Sequence, residues 1–136
     1  MRYLGLDLGT KTLGISISSG VIANVYQTIR HNEEYDMLID KVLEIVDKEH
    51  IDKIILGYPK NMNNTLGDAA KRVLLFKEKL EKKIKIEVIL EDERLTSVVA
   101  NNTLIKADIS RKKRKEKVDG IASVIILTSY LDRKVN

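Results

Sequence analysis

MRYLGLDLGTKTLGISIS, residues 1–18, reads as two strands joined by a short turn, with a carboxylate at the end of the first strand. Leu4, Leu6 and Leu8 alternate with Tyr3, Gly5 and Asp7, the two-residue period of a half-buried strand. Leu13, Ile15 and Ile17 repeat that period over about residues 12–18. Gly9 permits a tight turn between them and a close approach of backbone to ligand. A carboxylate buried on an apolar strand is costly without a partner, so Asp7 calls for a metal, a donor or water. It is the first place to look for chemistry.

The rest of the chain supplies the sheet around that strand. Gly20 marks a turn, and Val21 to Thr28 form a third antiparallel strand. Asn32 caps a helix with Glu33 and Glu34 in its first turn and Leu38, Val42, Ile45 and Val46 as its apolar stripe, out to about Glu49. KIILG at 53–57 is a short buried strand, and the loop YPKNMNNTLG follows it. A second helix runs over about 68–82 on Ala69, Val73, Phe76 and Leu80, and IKIEVIL at 84–90 alternates as a strand. Thr96 caps a third helix to about Lys106, and Ser110 caps a last one that turns Val118, Ile121, Ala122, Ile125 and Leu131 inward. Three meandering strands followed by two crossover units give an α/β fold, a mixed five-stranded sheet flanked by helices.

Length and composition exclude several classes. The chain has 136 residues, a single domain spanning 1–136, and its 43% apolar content is enough for one aliphatic core. With no cysteine, disulfides, thiolate chemistry and Cys-rich zinc sites are excluded. No run approaches the roughly 20 apolar residues of a membrane span, and the first strand starts without an apolar signal segment. The expectation is a cytoplasmic protein with no membrane partner. The net charge of +4 is mild, but Arg111, Lys112, Lys113, Arg114, Lys115 and Lys117 crowd into seven positions. A basic run opposes the dipole at a helix start, so its presence there points to a polyanion, nucleic acid above all.

Three acidic positions carry the chemistry. Asp7 ends the first strand, Asp92 or Glu93 ends the last, and Asp119 lies one turn into an apolar helix between Val118 and Ile121. Open α/β sheets gather ligands at the carboxyl edge of parallel strands. Carboxylates converging there from separate elements are hard ligands for Mg²⁺ or Mn²⁺. Paired ions of that kind activate water and stabilise the leaving oxygen in phosphodiester hydrolysis.

Four blocks in order resemble a known family: LGLDLGTKTLGISIS at 4–18, GYPKNMNNTLG at 57–67, EDERLTS at 91–97 and KVDGIASVIILTSYL at 117–131. The chain is similar over nearly its whole length to the YqgF family, also called RuvX, of pre-16S ribosomal RNA nucleases and Holliday junction resolvases. The resemblance implies an RNase H-like fold and a metal-dependent nuclease. It places the acidic positions on Asp7, on the DER block and on Asp119. Within that block Glu93 is the expected ligand, with Asp92 the neighbouring alternative on the other face of the strand. Thr10 and Lys11 after the first acid, and Arg94 and Thr96 after the second, are then candidates for substrate phosphate. Lys60, Asn61, Asn63 and Asn64 form a polar loop suited to a nucleic-acid backbone. Two departures stand out: Asn63-Asn64 where the family usually has Asp-Gly, and Ala122-Ser123 where it has two alanines. Neither touches a proposed ligand.

The implied substrate is the 5′ end region of precursor 16S ribosomal RNA, with a four-way DNA junction as the alternative. A noncatalytic RNA- or ribosome-binding protein is a further reading. DLGTKTLGIS also resembles the phosphate hairpin of two-domain sugar kinases and related ATPases, but those close two such domains around ATP and this chain has one. A junction resolvase would act as a homodimer on its two symmetric strands, an RNA-trimming enzyme as a monomer. His31 and His50 flank the first helix without ligand spacing and are expected to be exposed.

Overall fold

The computed structural model describes residues 1–59, 67–92 and 111–135, the last stretch with side chains at 120–133. Its elements are β1 (Tyr3–Leu8), β2 (Thr12–Ser19), β3 (Ile22–Arg30), α1 (Tyr35–Lys48), β4 (Lys53–Tyr58), α2 (Asp68–Lys83), β5 (Glu87–Asp92) and α3 (Arg111–Val135). The helix expected from Thr96 to Lys106 lies outside the described residues.

The strands form one five-stranded sheet in the order β3-β2-β1-β4-β5. β1 is antiparallel to β2 and parallel to β4, while β4 is parallel to β5. This is the mixed sheet expected from the sequence. β1 takes the middle because neither of its faces needs water. Leu4, Leu6 and Leu8 join Leu13, Ile15, Ile54 and Leu56 in a core closed by Leu38, Ile39 and Val42 of α1 and Val73, Phe76 and Leu80 of α2. Each such aliphatic side chain contributes roughly 1.5–3 kcal/mol when fully buried.

The other face of β1 is covered as well, so the half-buried strand read from its alternation is buried on both sides. Tyr3 and Ile55 form a second, smaller core with Ile126, Leu127 and Leu131 of α3. Gly5 makes that possible. A Cβ there would stand 2.3 Å from Ser16 Oγ and 3.0 Å from Leu127 Cβ, so only a residue without a side chain lets the helix come down on the strand.

Several boundaries differ from the sequence reading, each for a local reason. β3 runs on to Arg30, and α1 starts at Tyr35 with Glu34 rather than Asn32 at its cap. Glu33 has a φ of 71°, outside the helical region, so Glu33 and Glu34 precede the helix. β5 spans Glu87–Asp92, starting about three residues later than IKIEVIL, so Glu91 and Asp92 belong to the strand. In α2 the buried alanine is Ala70, not Ala69. Among the described side chains of α3, Ala122, Ser123, Ile126, Leu127 and Leu131 are buried, while Ile121 and Ile125 are only partly covered and Val118 lies outside the described side chains.

Candidate functional site

Asp7 is half-buried, two residues beyond Gly5, on the face of the sheet that α3 covers. The last coupled residues of β1 and β4 are Leu6 and Leu56, so Asp7 comes level with Gly57. Gly57 pairs with Glu91 in β5. Asp7, Gly57 and Glu91 therefore form one row at the carboxyl edge, with the two acids about 10 Å apart across two strand spacings. Gly57 puts no side chain between them.

Glu91 is the acid that sequence reasoning passes over. It is buried, with one carboxylate oxygen taking a hydrogen bond from Ser129 Oγ at 2.9 Å and the other paired with the Arg133 guanidinium. Alternation in β5 puts Asp92 on the opposite face from Glu91 and Asp7, and Asp92 is exposed.

α3 is seated on this row by small residues. Ser123 Oγ lies 2.9 Å from both Gly5 O and Ser16 Oγ, and Ser16 Oγ donates to Ser123 O at 2.9 Å. All of these groups are buried, so the network satisfies polar atoms that water does not reach. A Cβ on Gly120 would meet Val25 and, at 3.8 Å, Thr28. Thr28 pairs with Gly14, and Gly14 with Asp7. The helical backbone at Gly120, next to Asp119, thus lies over β3 by Val25 and Thr28, and Thr28 is in register with Asp7 two strands away. The basic residues Arg111, Lys112, Lys113 and Arg114 form the first turn of this helix, and that turn contains no acidic residue.

Just beyond Asp7, the turn between β1 and β2 closes through Gly9 N–H donating to Thr12 O at 2.8 Å, with Thr10 and Lys11 exposed at its tip. His31 is not the free surface residue expected. Its Nε2 lies 2.9 Å from Gly9 O and 3.3 Å from Thr12 O, so the ring is built into the turn. A histidine directly after a strand that pairs with the hairpin is the available signal, and it is a weak one.

Glu93, Arg94, Thr96, Lys60, Asn61, Asn63 and Asn64 lie outside the described residues. Among the described residues no three His, Cys, Asp or Glu side chains are grouped to hold a metal ion. Asp7 fits one part of such a site: an oxygen ligand, half-buried at the carboxyl end of its strand, is what a hard divalent cation such as Mg²⁺ or Mn²⁺ takes. Among the described residues no helix is long and apolar enough to cross a membrane.

A family model described as RuvX, Holliday junction resolvase, matches residues 1–133. A protein of Bacillus cytotoxicus is 48% identical over 137 residues, covering 98% of this chain and 100% of its own length. One of Listeria monocytogenes serotype 4b is 47% identical over 135 residues, 97% of this chain and 98% of that protein. Both carry the name "Putative pre-16S rRNA nuclease". Among solved structures, Thermus thermophilus RuvC in complex with Holliday junction substrate matches with a TM-score of 0.63 at 14% identity, over 99% of this chain and 96% of that one. That likeness is one of fold, and the fold is RNase H-like.

Proposed function

Since this chain belongs to the RuvX family, we propose that it is a metal-dependent nuclease that hydrolyses phosphodiester bonds and processes the 5′ end of precursor 16S ribosomal RNA. The observation that carries this reading is the placement of Asp7. It stands half-buried at the carboxyl end of the central strand, on the side covered by α3, with an exposed Thr10–Lys11 turn immediately beyond it.

In this reading Asp7, Glu93 and Asp119 hold Mg²⁺ or Mn²⁺. The ions, when bound, supply Lewis-acid stabilisation of charge on the phosphate oxygens. The position of Asp92 on the face opposite Asp7 supports Glu93 as the ligand from that block. Thr10, Lys11, Arg94 and Thr96 orient the phosphate beside the acids, and Lys60 and Asn61 follow the backbone further along. Arg111, Lys112, Lys113 and Arg114 attract the polyanion and fix its path rather than its sequence. The seat of α3 on Gly5 keeps the two elements that carry Asp7 and Asp119 in fixed relation. One copy suffices for trimming RNA, and the reading carries a cytoplasmic location with it.

The description of the matching family favours a second substrate, a four-way DNA junction cut by a homodimer. One experiment separates the readings. A 5′-extended 16S precursor fragment and a four-way DNA junction are each incubated with the protein in Mn²⁺ or in EDTA, with Asp7→Asn as control. Metal-dependent RNA cleavage, absent in the variant, is the expected result. Cleavage of the junction alone would assign the resolvase reading. RNA bound but uncut, equally well by both proteins, would overturn the enzyme in favour of a binding protein.

A further inference from the structure

We propose that His31 is a positioning residue that clamps the turn carrying Thr10 and Lys11, holding it in the form that receives a substrate phosphate. The proposal rests on the reading of that turn as part of the nucleic-acid site. His31 reaches the turn twice. Its backbone N–H donates to Lys11 O at 2.9 Å, and its ring Nε2 lies 2.9 Å from Gly9 O and 3.3 Å from Thr12 O. Gly9 and Thr12 are the two ends of the turn and Lys11 is part of its tip, so three of its carbonyls meet one residue.

The surroundings fix which nitrogen carries the proton. Carbonyl oxygens only accept, so Nε2 must bear the hydrogen. Nδ1 receives the backbone N–H of Glu33 at 3.0 Å, so it must be bare. Tyr35, the first residue of α1, packs edge-on against the ring with centroids 6.0 Å apart. The imidazole is therefore held on three sides, by Glu33, by Tyr35 and by the turn. Glu33 reaches it only by adopting its φ of 71°. A residue other than glycine in that region is uncommon, and here the departure delays the helix start and aims an N–H at Nδ1.

Thr10 and Lys11 themselves are exposed, and an exposed two-residue tip would otherwise lose freedom each time it met a phosphate. A clamp at its base removes that cost before binding. The hydrogen bonds run to backbone carbonyls, so the clamp does not depend on what occupies the tip.

Chain geometry gives the test. A glutamine amide nitrogen ends where Nε2 does and can donate to Gly9 O. An asparagine oxygen ends near Nδ1, so it keeps the Glu33 bond and cannot reach the turn. His31→Gln, His31→Asn and His31→Ala are compared with the unaltered protein in two ways: amide hydrogen exchange at Gly9, Thr10, Lys11 and Thr12 without nucleic acid, and KM and kcat on the RNA or junction that the unaltered protein cleaves. The expected result is exchange on the order of tenfold faster at the turn in the Asn and Ala variants, with KM raised several-fold and kcat changed less. The Gln variant keeps both near the unaltered values. Unchanged exchange in His31→Ala, or a Gln variant as impaired as the Ala one, would overturn the clamp. A protein that cleaves neither substrate would overturn the nuclease reading, while the exchange comparison still decides the hold of His31 on the turn.

Discussion

Glu91 and Arg133 join the end of β5 to the last helix. The Glu91 carboxylate is buried, the Arg133 side chain is largely exposed, and Ser129 donates to the second carboxylate oxygen at 2.9 Å. The pair holds the C-terminal half of α3 against the strand that leads into the DER block. Its two members are not equivalent. The guanidinium returns easily to water, whereas the carboxylate stays in a place that only its partners make tolerable.

Truncating the arginine should therefore hurt more than replacing both. Arg133→Ala is expected to cost about 1–2 kcal/mol, kept modest because the guanidinium is already solvated. Glu91→Gln combined with Arg133→Met should cost less than Arg133→Ala alone. Urea denaturation of the two variants against the unaltered protein reads the difference, and equal losses would show that the buried charge is not the source.

Gly5 sets how closely α3 approaches the sheet. Gly5→Ala puts a methyl group 2.3 Å from Ser16 Oγ and 3.0 Å from Leu127 Cβ, an overpacking expected to cost about 1–3 kcal/mol. Adding Ser16→Ala removes the nearer clash but also the donor to Ser123 O, so it should recover only part of the loss. Thermal melting of the four proteins of that cycle gives the coupling directly.

Metal binding should be visible without any substrate. A cation held by Asp7, Glu93 and Asp119 stabilises only the folded chain, by about 2.7 kcal/mol at a concentration 100 times its dissociation constant. Mn²⁺ is expected to raise the melting temperature of the unaltered protein by several degrees, reversibly with EDTA. Asp7→Asn and Asp119→Asn should each abolish most of the rise. A rise that persists in both variants would place the ion elsewhere.

The basic start of α3 is expected to act through phosphates. Replacing Lys112, Lys113 and Arg114 by alanine should weaken RNA binding and flatten its dependence on salt, by roughly 0.7 in log–log slope for each single-strand phosphate that is no longer neutralised. Fluorescence anisotropy at several salt concentrations measures it, and an unchanged slope would remove these residues from the interface.

Tyr26 gives the fold a pH dependence at the alkaline end. Burial, and then the hydrogen bond to and charge of Glu49, push its phenol above the ordinary 10.0, with Arg2 partly opposing. The folded state therefore keeps this proton longer than the unfolded chain does. The associated stability is complete below pH 10 and is lost as the pH rises through the raised value. Melting temperatures followed upward from pH 9 should fall more steeply for the unaltered protein than for Tyr26→Phe.

What is legible in the sequence follows from periodicity. Alternation over residues 3–19 marks the β1–β2 hairpin, and the spacing of Val73, Phe76 and Leu80 marks α2 and its buried face. What escapes such a reading depends on partners distant in the chain. The burial of Ser123 follows from Ser16 and Gly5, more than 100 residues away, and no local pattern announces it. The same holds for Glu91, whose burial depends on Arg133 and Ser129 far along the chain. The start of α1 is misplaced because Asn32 and the glutamates look like a cap, while His31 and the φ of Glu33 tie that segment to the hairpin instead. For the candidate site, Asp7 is readable from its own strand, while Glu93 and Asp119 are proposed to join it on their positions in the chain and on resemblance.

The seat of α3 on β1 also gives the protein an order of completion. Ser123 Oγ meets Gly5 O across 118 positions, so the earliest strand and the latest helix close on one another. A chain cut short before Gly120 would hold β1 and its acid but leave Tyr3 and Ile55 bare to solvent. Such a fragment offers an adhesive surface and lacks most of the helix that carries Asp119. As the chain is made from its N-terminus, this face of the sheet stays open until the final helix arrives. Docking of α3 thus covers Tyr3 and Ile55 and brings the helical backbone at Asp119 over the sheet in a single event.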